Sequence, residues 1–136
     1  MADIKSPTNR PLSPHLQVYR LTMTFVMSGF HRVTGAVLYF GMLIPAAWLL
    51  AAASGPDWFD FVNRILGTSL GRLVLFGYTW GLIHHMLGGV RHLIWDTGRG
   101  LDLVSIEIFA WATIIGSVSL TAAVWLCAWW LGGLWI

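Results

Sequence analysis

The sequence predicts an all-α integral membrane protein with three transmembrane helices. Two observations carry that prediction. Apolar residues make up 57% of the 136-residue chain and charged residues only 10%, too little charge to cover the surface of a soluble domain of this size. Three stretches, Val33 to Pro56, Leu73 to Val90 and Ile108 to Ile136, contain no Asp, Glu, Lys or Arg. Each is near or above the roughly 20 helical residues that a bilayer core demands.

Taken in order, residues 1–22 are polar and proline-rich and read as a cytoplasmic N-terminal segment. They lack the apolar core of a secretory signal. A single membrane domain follows over 23–136, with spans at about 27–53, 68–94 and 105–132. The first span starts before Arg32, in the run from Met23 to His31. Pro45 lies inside it and predicts a kink or break near Ile44, tolerable where neighbouring helices satisfy the freed carbonyl. The loop from Ser54 to Arg64 opens with Gly55-Pro56, a clear break, and a short interfacial helix is expected from Asp57 to Leu66. The second break runs from Trp95 to Asp102. Asp102 and Glu107 suit the start of the third helix, where acidic groups meet the positive end of the helix dipole. Beyond Glu107 that helix has Ser117, Ser119 and Thr121 but no ionisable group, and reads as a packing helix with a lipid face.

Basic residues give the orientation. Lys5, Arg10, Arg20, Arg32, Arg91 and Arg99 fall on the N-terminal side of the membrane and only Arg64 and Arg72 on the other. That puts the N-terminus in the cytoplasm or matrix. Trp125, Trp129, Trp130 and Trp135 suit an aromatic belt at the outer interface. The net charge of +2, with no basic run, argues against nucleic-acid binding. The single cysteine, Cys127, can form neither an internal disulfide nor a metal motif. No Cys-x-x-Cys-His occurs, so any haem would be held non-covalently.

Ionisable groups within a span are costly and ask for partners. Two clusters stand out. In the first, Ser28, His31, Arg32 and Gly35 recur at i, i+3, i+4 and i+7, one helix face. They offer a hydroxyl, an imidazole, a guanidinium and a bare backbone patch. Arg suits bidentate contact with carboxylates such as haem propionates, and Ser and Arg could both donate to a quinone carbonyl. The plain alternative is an arginine snorkelling to headgroups beside a serine bonded to its own helix.

In the second cluster His85, Gly89 and His92 share a face, with His84 turned about 100° away. The Gly88-Gly89 pair would let a helix or a flat macrocycle approach the backbone. Neutral imidazole is a common haem ligand, so His85 is a candidate axial ligand. The plain alternative is a pair of histidines bonded to neighbouring helices. His85 lies six residues before Arg91, about 9 Å along the axis at about 1.5 Å per residue. Propionates could therefore reach His31, Arg32, Arg91 or His92.

The motifs Arg10 to Arg20 (RPLSPHLQVYR), Ser28 to Gly35 (SGFHRVTG) and His84 to Asp96 (HHMLGGVRHLIWD) resemble those of the cytochrome b membrane anchors of succinate dehydrogenase. The third helix matches only in length and character. The resemblance implies a three-helix anchor forming half of a heterodimeric bundle with a second anchor subunit. The pair would carry an iron–sulphur subunit and a flavoprotein subunit. It implies one haem b between the anchors, with an axial histidine from each. His85 would be this chain's ligand to the haem iron, with His31, Arg32 and His92 near the propionates. Ser28 and Arg32 would bind ubiquinone, and electrons from succinate would enter the quinone pool here. The short, unprocessed-looking start favours a bacterial inner membrane, with the mitochondrial inner membrane as the alternative. The chain holds no flavin motif and no cysteine cluster, so it cannot oxidise succinate alone. Two rivals remain at this point: a self-contained b-type cytochrome with His31 and His85 both on the iron, and a haem-free scaffold subunit. A proton-coupled transporter would need mid-span acidic residues, and the sequence has none.

Overall fold

The computed structural model describes residues 21–132. The expected cytoplasmic segment 1–22 therefore lies almost wholly outside the described residues, with Lys5, Arg10, Arg20 and the first motif. So does Trp135. Within the described residues the chain forms five helices: α1 (Met23–Gly41), α2 (Leu43–Ser54), α3 (Pro56–Leu66), α4 (Ser69–Asp96) and α5 (Leu103–Trp130). Three lengths, Met23–Ser54, Ser69–Asp96 and Leu103–Trp130, are long and apolar enough to cross a membrane. In lipid the backbone must satisfy its own hydrogen bonds, and helices do so.

The first crossing is interrupted at Met42, two residues before Ile44. Pro45 has no N–H, so the Gly41 carbonyl loses its partner one turn on and the pyrrolidine ring crowds it. The ladder holds on either side: Met42 N–H bonds Leu38 O at 2.9 Å and Ala46 N–H bonds Met42 O at 3.1 Å. Tyr78 of α4 packs against the break. A Cβ on Gly41 would lie 2.6 Å from its ring.

Gly55 ends α2 at φ +118°, a conformation that favours glycine. Pro56 then sits in the first turn of α3, where its missing N–H costs nothing. α3 folds back along α2. Trp48 Nε1 donates to Asn63 Oδ1 at 3.0 Å, and the Trp48 and Phe59 rings are 5.5 Å apart. Trp58, Phe61 and Ile65 stay exposed along one side of α3.

α4 is the central helix, packed against both α1 and α5. The Thr68 side chain caps it, accepting from Gly71 N–H at 3.1 Å. It ends at Asp96; two residues on, Gly98 takes φ +75° and its N–H closes back on Trp95 O at 2.8 Å. Asp102 caps α5 by accepting from Ser105 N–H at 2.9 Å.

α5 buries one narrow stripe of small residues, Ala110, Thr113, Ser117 and Thr121, which lets the helices approach closely. Its hydroxyls are satisfied mainly by α5's own carbonyls: Thr113 donates to Phe109 O at 2.8 Å and Thr121 to Ser117 O at 2.7 Å. Most of the rest of α5 is exposed, as a packing helix with a lipid face requires. Trp129 and Trp130 point outward, whereas Trp125 turns in against Phe76, ring centroids 5.3 Å apart.

Candidate functional site

The α1–α4 contact brings three of the candidate residues together. The imidazoles of His31 and His85 stack, centroids 4.0 Å apart and planes 16° apart. His92, about two turns further along the same face of α4, meets the His31 ring edge-on at 5.2 Å. Gly88 makes this possible, because a Cβ there would run into His31 Cδ2. A Cβ on Gly89, by contrast, would meet nothing within 4 Å among the described residues outside its own helix backbone. The glycine pair thus divides its work: Gly88 admits the partner helix, and Gly89 leaves bare backbone on the outer face one turn beyond His85.

Hydrogen bonding assigns the tautomer of His85. Its Nδ1 lies 3.1 Å from His31 O. A backbone carbonyl can only accept, so Nδ1 carries a proton, and in the neutral ring Nε2 keeps its lone pair. Nε2 has no hydrogen bond among the described residues, and only two buried side-chain polar atoms there lack a partner, His31 Nε2 and Arg91 Nε. Arg91 is 5% exposed and its guanidinium lies over the Trp95 ring, 5.0 Å from the centroid. Trp95 Nε1 in turn donates to Gly100 O at 3.0 Å.

His84 belongs to a different surrounding. It is 3% exposed, faces the α5 stripe, and its Nδ1 is 3.1 Å from Ser117 Oγ. Ser117 gives its hydroxyl proton to Ile114 O at 2.9 Å, so it accepts from His84. The rings of Trp80 and Phe30 flank the imidazole at 5.2 Å and 6.1 Å. His84 is held as a satisfied core histidine, and the roughly 100° that separates it from His85 on the helix is what keeps the two apart.

The face of Ser28, His31, Arg32 and Gly35 rolls from the interior outward. His31 and Gly35 meet α4, with Gly35 so close that a Cβ would lie 3.0 Å from His85 Cε1. Ser28 and Arg32 lie on the exposed flank, outside the histidine contact. The residue that sequence reasoning missed is Thr34, 4% exposed. Its hydroxyl sits 3.3 Å from His85 Nδ1 and donates to Phe30 O at 2.8 Å. Helix periodicity puts it on the inward side next to His31, but a lone threonine in a span normally bonds only its own helix, so nothing in the pattern marks it.

Among the described residues no three His, Cys, Asp or Glu side chains converge as a metal site. What converges is a basic, imidazole-rich patch between two membrane helices, with His85 Nε2 free and two buried nitrogens, His31 Nε2 and Arg91 Nε, unsatisfied. Fold and site together define a small three-span membrane protein with an intramembrane histidine centre at its edge. The family model described as the succinate dehydrogenase/fumarate reductase transmembrane subunit matches residues 6–124, and the chain belongs to that family. It is 42% identical over 120 residues to the succinate dehydrogenase cytochrome b556 subunit of Paracoccus denitrificans, covering 88% of this chain and 92% of that one. It is 34% identical to the subunit of the same name from Rickettsia felis, over 85% of this chain and 90% of that one. The mitochondrial cytochrome b560 subunit of Sus scrofa is 36% identical, over 85% of this chain and 72% of its own.

Proposed function

We propose that this chain is the cytochrome b membrane anchor of a succinate dehydrogenase. In this reading it binds one haem b through His85, beside a second anchor subunit that supplies the other axial ligand, and carries an iron–sulphur and a flavoprotein subunit on its inner face. The observation that carries the proposal is the His85 Nδ1 contact to His31 O at 3.1 Å. It presents Nε2 as an unprotonated, hydrogen-bond-free ligand, as haem ligation through one imidazole requires.

The surroundings fit the group. Bare backbone at Gly89 leaves room for a flat macrocycle, and the unpartnered nitrogens His31 Nε2 and Arg91 Nε suit propionate carboxylates, with His92 against the His31 ring and Arg32 on the exposed flank of α1 within a side chain's reach. When bound, the haem supplies a one-electron store whose potential follows its ligands and local polarity. The chain's own residues then bind ubiquinone, the electron acceptor for succinate oxidation. Ser28 donates to one quinone oxygen, and Arg32 stabilises the negative charge that develops as it is reduced. Both lie on the exposed flank of α1, where a neighbouring subunit can close over them. Basic-residue bias supports an N-terminus on the cytoplasmic side, and the likeness to the Paracoccus denitrificans subunit supports a bacterial inner membrane.

A self-contained b-type cytochrome fits less well. Rings stacked at 4.0 Å leave no space for a macrocycle between His31 and His85. The test is a reduced-minus-oxidised spectrum of the membrane complex carrying His85→Ala, beside wild type and His84→Ala. Loss of the b-type α-band in His85→Ala alone is the expected result. A wild type without the band would move the haem-free scaffold reading to the front, and loss in His84→Ala alone would shift the ligand by one residue.

A further inference from the structure

We infer that Thr34 is a positioning residue for His85, setting the donor strength of the imidazole through its Nδ1–H. The inference rests on the haem reading of His85.

Thr34 is buried at the α1–α4 contact, one turn along from His31. Its hydroxyl has one proton and two carbonyls in range, Phe30 O at 2.8 Å and His31 O at 3.0 Å. Toward His85 Nδ1, 3.3 Å away, the oxygen is left to accept. The Nδ1–H of His85 is therefore shared between two acceptors, His31 O at 3.1 Å and Thr34 Oγ1. Both belong to the same turn of α1. Thr34 also gives its proton into that turn, which locks its own rotamer and fixes where its oxygen stands.

Two further contacts leave the ring little freedom. The His31 imidazole covers one side at 4.0 Å, and the Gly35 backbone lies so near Cε1 that a Cβ would sit 3.0 Å away. Ring position is thus held by packing, and the Nδ1 acceptors govern its electronics. An acceptor on Nδ1–H pushes electron density toward Nε2 and makes the imidazole a stronger donor. A stronger donor stabilises ferric over ferrous iron and lowers the haem potential. Deleting the hydroxyl weakens that push while the carbonyl keeps the tautomer.

The test uses the assembled complex with Thr34→Val, which keeps the shape and removes the hydroxyl, and Thr34→Ser, which restores it. Haem content is read from the α-band, the midpoint from a redox titration, and the axial ligand field from the low-spin ferric EPR signal. Thr34→Val is expected to retain haem, with a raised midpoint and a shifted largest g value, and Thr34→Ser to return both to wild type. Should Thr34→Val fail to assemble, Thr34→Ala carries the same expectation. An unchanged midpoint and g value in a haem-loaded Thr34→Val or Thr34→Ala complex would overturn the inference while leaving the haem reading intact. A wild-type complex lacking the α-band, or an α-band that survives in His85→Ala, would overturn both.

Discussion

The imidazole of His31 lies parallel to that of His85, 4.0 Å from it, while the His31 carbonyl takes the His85 Nδ1 contact at 3.1 Å. One residue of α1 therefore supplies both a wall and a hydrogen-bond acceptor to one residue of α4. Side chain and backbone act on the same ring, so replacing the His31 side chain removes the wall and leaves the acceptor. His31→Ala should loosen the ring without changing the tautomer, and haem should remain, with a broadened ferric EPR signal. Complete loss of haem in that variant would return weight to a second ligand within this chain.

The two adjacent glycines should respond oppositely to the same substitution. Gly88→Ala drives a Cβ into the His31 ring. Overpacking of this kind costs about 1–3 kcal/mol, so the thermal midpoint of the complex should fall. Gly89→Ala meets nothing among the described residues and gains up to about 1 kcal/mol of helix propensity. Its expected defect is lower haem occupancy without a stability loss. Equal behaviour of the two variants in thermal melts and haem assays would contradict the division of roles.

Ser117→Ala removes the acceptor of His84 Nδ1 and leaves a buried donor unpaired. Such losses cost about 1–3 kcal/mol in water-soluble cores but average about 0.6 kcal/mol between membrane helices. A value near 1 kcal/mol is expected. A double-mutant cycle with His84→Phe checks it: coupling near zero would mean that the pair contributes nothing. The α-band should be unmoved throughout.

Quinone reduction should depend on the exposed flank of α1. Arg32→Leu removes a charge-assisted contact of about 1.5–3 kcal/mol, or roughly tenfold to a hundredfold in kcat/KM for ubiquinone. Ser28→Ala should cost less, up to about tenfold on the same scale. Succinate oxidation with an artificial acceptor at the flavoprotein is the control and should be unchanged. Wild-type ubiquinone kinetics in both variants would remove Ser28 and Arg32 from the site.

The Asp102 cap gives a pH dependence outside the membrane. Hydrogen bonds from Ser105, side chain first and backbone N–H second, hold its carboxyl below the usual carboxylate range. The folded state thus favours the ionised form. The stabilisation is present above the ordinary aspartate value of about 3.9 and is lost as pH falls through the lower folded value. Hydrogen exchange at the first turn of α5 should accelerate in that window, and Asp102→Asn, which caps without a charge, should flatten the response. Equal pH profiles for the two would exclude the carboxylate as the cause.

Most of the fold was legible because lipid punishes charge. Uncharged runs marked the three crossings, Pro45 marked the break that falls at Met42, and Gly55-Pro56 marked the start of α3. The site was legible in its residue types and only partly in its contacts. Periodicity separated His84 from His85. It did not say that Gly88 would receive His31, because that depends on the rotation of α1 against α4. Nor could it show Thr34 beside His85 Nδ1, 51 positions away in the chain. The face of Ser28, His31, Arg32 and Gly35 reads as one arc in sequence, and the depth of its burial is set by where α4 crosses it.

The break at Met42 bears on how the chain meets bilayers of different thickness. Met23–Ser54 is 32 residues long, about 48 Å at about 1.5 Å per residue, against a hydrocarbon core of about 30 Å. A rigid rod of that length would relieve the hydrophobic mismatch by tilting as a whole and would drag His31 and Arg32 with it. With the rod divided, the α2–α3 hairpin can lean on its own, while α1 keeps its seat on α4. In the proposed orientation, membrane thickness would then be absorbed at the α2–α3 end, and the depth of the histidine centre relative to the opposite surface would stay constant.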